Sequence, residues 1–112
     1  MTKKKHNRLA PDVRKRQIID AGLEMVRADG YQGLTVRGLA RKIGIANSSV
    51  LHHYPTLLQL RRAVMRTAIA REDLLVVGMG LAAGDKYALA APAHMLNPAR
   101  DALKEAQPWT DQ

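Results

Sequence analysis

Apolar positions along this chain recur at helical spacing. Ile19, Gly22, Leu23 and Val26 form an i, i+3, i+4, i+7 stripe that predicts an amphipathic helix over about 12–29. Asp12, directly after Pro11, is its expected N-cap; Gly30 is the residue just past its end, with Tyr31 folding back on the last turn. Val36, Leu39, Ala40 and Ile43 repeat the spacing in a second helix at 36–43, capped by the Thr35 hydroxyl and stopped by Gly44. Asn47-Ser48-Ser49 then lead a third helix, 47–53, with Val50 and Tyr54 on one face and Pro55 ending it. Thr56 caps a longer fourth helix, 57–77, whose apolar residues Leu60, Val64, Ala68 and Leu75 cover more than one side. Beyond it Gly78, Gly80 and Gly84 break the pattern. Asp85–Ala91 suits one short helix, and Asn97-Pro98 reads as an N-cap plus first-turn proline opening a last helix from Ala99 to Gln107. The expected fold is all-α.

Composition narrows the function. The 112 residues suit one domain with a single modest core. The absence of cysteine excludes disulfide frameworks, thiolate zinc sites and thiol nucleophiles. No apolar stretch of signal-peptide length follows the basic N-terminus, and none reaches the ~18 residues of a membrane span, so a cytoplasmic protein is expected. The net charge of +8 is unevenly placed: residues 1–71 hold 15 basic and 4 acidic side chains, residues 72–112 only 3 basic and 6 acidic. A basic head of this kind selects a polyanion, nucleic acid or an anionic membrane. The charge is spread over a set of short helices and does not line one amphipathic helix, which argues against a membrane surface. With no Phe, one Trp and three Tyr, stacking on single-stranded bases is a poor fit, and duplex DNA is the better partner.

Two short helices joined by a glycine turn, the second led by small polar residues, form a helix-turn-helix pattern. Ile18-Ile19-Asp20-Ala21-Gly22-Leu23, Gly30-Tyr31, Leu34-Thr35-Val36-Arg37, Leu39-Ala40, Gly44-Ile45 and Val50-Leu51-His52-His53-Tyr54-Pro55-Thr56 with Leu60 carry it further. Over about residues 14–66 this run resembles, without insertion, the N-terminal DNA-binding domain of TetR/AcrR-type transcriptional regulators. The resemblance implies a dimeric repressor on a palindromic operator, residues 46–52 in the recognition helix, and Thr35 and Arg37 near the DNA backbone and groove edge. The chain departs from the family pattern at Gly38, where an acid is usual, at Ala46 for a capping Ser, at Leu51 for a phosphate-reaching Tyr, and at Leu57 for a phosphate-contacting Lys. Asn47 is expected to take over the cap lost at Ala46.

The candidate DNA contacts follow. Lys3, Lys4, Lys5 and Arg8 form a basic arm that tracks phosphates or the minor groove. Asn47, Ser48, Ser49 and His52, with Arg37, are candidates for base edges, and Arg61 for a phosphate. His53 is read as structural. His52 and His53 are adjacent, so on a helix they diverge by about 100° and cannot chelate one metal; no metal or cofactor site is expected. No paired carboxylates or activated serine point to an enzyme.

The expected organisation is a flexible arm at 1–11, the helix-turn-helix domain at 12–66 and a short helical dimerisation region at 67–112. The tail is apolar and acidic, which suits a subunit contact, and it is too short to wall an inducer pocket, so no small-molecule inducer is expected. The expected function is sequence-specific repression by promoter occlusion, as a homodimer joined through the tail. The alternative is an activator or another DNA-binding protein. A remote third reading is a small nucleotide-cofactor-binding protein: Leu74–Val77 would be a strand entering Gly78-Met79-Gly80-Leu81-Ala82-Ala83, a glycine fingerprint with Asp101 some 20 residues on.

Overall fold

The computed structural model describes residues 10–106. Those residues form α1 (Pro11–Asp29), α2 (Val36–Ile43), α3 (Asn47–His53), α4 (Leu57–Ala70), α5 (Leu74–Ala82), α6 (Lys86–Leu89) and α7 (Ala93–Ala106), with a short 3-10 turn at Tyr31–Gly33. α1 lies against α2, α4 and α5; α2 against α3; and α5 is held between α4 and α6 on one side and α7 on the other.

The head matches its predicted elements closely because each boundary has a local cause. Gly30 takes φ +86° and its N–H closes α1 on the Val26 carbonyl. The Thr35 hydroxyl accepts from the Gly38 N–H at 3.0 Å. Gly44 is left-handed at φ +76°, and Ile45 N–H reaches back to the Ala40 carbonyl at 2.9 Å, turning the chain for α3. Asp12 is not the N-cap of α1: that position is Ala10, without a side-chain cap, and Asp12 sits within the first turn, where its charge still suits the positive end of the helix. Asn47 likewise does not replace the missing cap of α3. It is already helical, after an uncapped Ala46.

The stretch expected as one helix from 57 to 77 is two. α4 ends at Ala70, Glu72 takes the left-handed φ of +56°, and Asp73 caps α5 by accepting from the Val76 N–H at 3.4 Å. Glu72 N–H donates to Ile69 and Asp73 N–H to Ala68, at 3.1 and 2.8 Å, so the carbonyls at the end of α4 stay satisfied through the turn. The side chain of Asp73 also pairs with Arg27 at the end of α1. Leu74–Ala82 is therefore helix and not the strand a dinucleotide fingerprint needs, and no strand occurs among the described residues. α7 begins at Ala93, a turn and more before Asn97, and carries Pro98 inside it; Pro98 leaves the His94 carbonyl without its helical donor, near an exposed helix start where water can serve.

One core runs through head and tail. Ile18, Val26, Leu34, Leu39, Val50, Leu60 and Val64 are fully buried in the head, and Met65, Ala68, Val76, Val77, Ala88 and Ala99 continue the core into the tail. Val36, Ile43 and Tyr54 pack on its edge, half-buried. Small residues set the closest approaches. A Cβ at Gly22 would lie 2.8 Å from the Val64 side chain, so Val64 of α4 seats directly on the α1 backbone, and one at Gly78 would lie 2.3 Å from the backbone oxygen of Ala99, so α5 meets α7 almost backbone to backbone. The tail thus covers the far side of α4 within its own chain.

Candidate nucleic-acid interface

α2 and α3 hold the reading surface. Leu39, Ala40 and Val50 are buried at their junction, which locks the angle between the two helices. Successive residues on α3 turn by about 100°, and burial divides the helix accordingly: Ser49, Val50 and His53 face inward, while Asn47, Ser48, Leu51 and His52 form one exposed arc. The structure brings Asn47, Ser48 and His52 together on this arc. Ser49 is placed differently, half-buried on the inner flank, its N–H donating to the Ala46 carbonyl at 3.0 Å. Leu51, 39% exposed, lies within the arc.

Cations lie on the helices next to α3. Arg37 is exposed on the first turn of α2, next to the capping Thr35, and Arg41 is exposed one turn later. Lys15 and Arg14 at the start of α1 lie close enough to His53 to act on its charge. Among the described residues, Lys15, Arg16, Arg37, Arg41, Arg62 and Arg66 have no acidic partner, whereas Lys42 pairs with Glu24 at 3.2 Å and Arg71 with Asp20 at 2.7 Å. A cleft of about 300 Å³ between the end of α3 and α4 is lined by His53, Tyr54, Gln59, Arg62 and Arg66. Of its two arginines, Arg62 stands beside Arg61 at the start of α4 and reads from sequence as either a solvated residue or a phosphate clamp, whereas Arg66 was not singled out. The signal for Arg66 was its place one helical turn after Arg62.

His52 and His53 do not splay apart: their rings meet edge to face, with centroids 5.0 Å apart. Partial burial, and then the positive charge of His52, Lys15 and Arg14, lower the pKa of His53 below the usual histidine value. A neutral His53 fits its position against the head. Among the described residues no group of His, Asp or Glu is placed to hold a metal ion.

Arg61, a phosphate candidate from sequence, is placed against the Tyr31 turn. It is half-buried, its guanidinium lies over the Tyr31 ring at 5.7 Å, and its Nε is enclosed without a partner. Tyr31 in turn donates its hydroxyl to Asp85 Oδ1 at 2.8 Å, and the other oxygen of Asp85 caps α6 through the Ala88 N–H at 2.9 Å. Burial, reinforced by the Asp85 carboxylate, pushes the Tyr31 hydroxyl far above its ordinary pKa, so it stays a donor. Arg61 therefore links α4 to the Tyr31 turn through the face of that ring. Lys3, Lys4, Lys5 and Arg8 lie outside the described residues.

No helix among the described residues is long and apolar enough to cross a membrane. No curated protein and no solved structure shows a significant match to the chain. Residues 18–64 match the family described as bacterial regulatory proteins, tetR family. The matched stretch runs from the buried part of α1 through the turn between α2 and α3 to the middle of α4, and it holds the exposed arc with Arg37, Arg41 and Arg62. Residues 18–64 are thus similar to the helix-turn-helix domain of the tetR family of bacterial regulatory proteins, a likeness that supports DNA binding by this part of the chain.

Proposed function

We propose that the protein is a repressor that binds a palindromic operator as a homodimer and blocks the promoter by occupying it, in the cytoplasm and without catalysis. The observation that carries this reading is the α3 arc: Asn47, Ser48 and His52 are exposed side by side on a helix braced by Val50, beside Arg37 and Arg41 of α2, which have no acidic partner among the described residues. Asn can bridge the N6 and N7 edge of adenine, and Arg can bridge guanine or hold a phosphate. Thr35, whose oxygen already accepts the Gly38 N–H, still has its own proton to give to a phosphate. The basic arm supplies further backbone grip in this reading.

A reader of this size covers few base pairs, and two copies spaced about one DNA turn apart, ~34–36 Å, account for tight binding. The tail's buried residues serve its own chain, so the subunit contact is assigned to the outer surface of α6 and α7, where Leu89 is 52% exposed beside Ala90 and Pro92. Selection of bound sequences from a random duplex pool tests the reading, since a dimer on two half-sites returns a palindrome. Sedimentation with the selected duplex then counts the copies bound. A reporter carrying the selected site across its promoter separates the roles: repression silences it, and a rise in output would favour the activator alternative.

A further inference from the structure

We infer that Leu51 reads a thymine methyl group, giving each half-site an A·T requirement beside the base pair read by Asn47. The inference rests on the operator-binding role proposed above and extends it to the chemistry of one contact.

Three observations lead there. Leu51 is a large apolar side chain kept 39% exposed on α3, while the apolar neighbour Val50 is fully buried. By helical geometry it stands about 40° around the axis from Asn47 and about 60° from Ser48, between the two polar residues and not at the rim of the arc. Finally, α3 packs against a cationic neighbour: Arg37 and Arg41 of α2 are exposed and have no acidic partner among the described residues. An apolar spot on a helix packed against such cations is poorly matched to an apolar protein partner, whose association would leave those charges facing it, and well matched to a polyanion with an apolar group of its own. In the major groove that group is the C5-methyl of thymine, the one hydrocarbon surface among the base edges. Leucine has no donor or acceptor to satisfy, so it discriminates by shape and burial alone, against cytosine in particular, whose edge has an amino group and no methyl.

The test uses the full chain and the duplex selected from a random pool. Each thymine of a half-site is replaced singly by uracil, which removes the methyl and leaves every hydrogen-bonding group in place. Withdrawing one methyl-sized group from water on binding is worth about 0.8 kcal/mol, or roughly a four-fold change in Kd. The wild-type protein is expected to weaken by about that factor at one thymine per half-site, and Leu51→Ala to bind the thymine and uracil duplexes equally. Thermal melting of Leu51→Ala at the wild-type temperature confirms that only the contact has changed. If no uracil replacement weakens the wild type, or if Leu51→Ala keeps the same sensitivity, the inference is overturned while the operator reading stands. If the pool yields no enriched sequence, the operator reading itself fails and this inference with it.

Discussion

Gly78→Ala separates a tail that packs within its own chain from one held open for a second subunit. In an unobstructed helix the change is favourable by about 1 kcal/mol, because alanine has the higher helix propensity. Here the new Cβ would lie 2.3 Å from the Ala99 oxygen, 3.1 Å from the Ala99 carbonyl carbon and 3.2 Å from Leu103 Cβ. The nearest obstacle is backbone, so no rotamer change relieves it, and α5 and α7 have to part by about an ångström. Overpacking of this kind costs about 1–3 kcal/mol, and a clash with backbone belongs at the upper end. Set against the propensity gain, the net loss is about 2 kcal/mol, a fall in Tm of roughly 8 °C for a chain of this size. The assay is thermal melting by circular dichroism at two protein concentrations, with Gly80→Ala beside it. The Cβ of Gly80→Ala would meet the terminal methyl of Met65, at 2.3 Å, and Ala88 Cβ, at 2.9 Å; the methionine can swing aside, so a smaller loss is expected. The Gly78→Ala loss should be the same at both concentrations, since the packing lies within one chain. A raised Tm for Gly78→Ala would refute the close seating of α7 on α5, and with it the cis packing of the tail.

Asn47→Ala should weaken binding to the selected duplex by about 1–3 kcal/mol while leaving random duplex nearly unchanged, as competition gel shifts can show; equal losses on both would make Asn47 a backbone contact. Arg37→Ala should lower the slope of log K against log salt by ~0.9 if its partner is a phosphate, whereas Arg61→Ala, which removes a half-buried side chain from the Tyr31 ring, should lower Tm and leave the salt slope alone. Removing residues 1–8 should likewise flatten the slope, by ~0.9 for each phosphate that the arm neutralises, and an unchanged slope would end the role of Lys3, Lys4, Lys5 and Arg8. Because the folded protein holds the His53 pKa below that of the unfolded chain, His53 is a neutral residue that the folded state resists protonating: stability is full above about pH 6.5 and declines as the pH falls through that value toward the folded pKa. His53→Gln should flatten that part of the pH profile measured by urea unfolding.

The head was legible in the sequence because its signals are local. Thr35, Gly44 and Pro55 act on the backbone within a residue or two of where they stand, and the apolar stripes at Ile19 to Val26 and Val36 to Ile43 have the helical period whatever packs on them. The motif they compose, with the polar lead of α3, already pointed to duplex DNA. What the sequence could not decide was set by contacts between residues far apart in the chain. Arg71-Glu72-Asp73 contains neither Gly nor Pro, so nothing local announces a break. It becomes one where Glu72 can take a left-handed turn, and Asp73 can cap α5 while pairing with Arg27, 46 residues away. Arg61 reads as an exposed basic residue until the fold sets Tyr31 beneath its guanidinium, and Ser49 as a base contact until α3 is rotated so that Val50 faces the core. The tail carries the same lesson. Its apolar composition announced that it must cover something, but composition is blind to which surface. Gly78 and Gly80 decide it, since only residues without side chains let α5 approach Ala99 on one side and Met65 with Ala88 on the other.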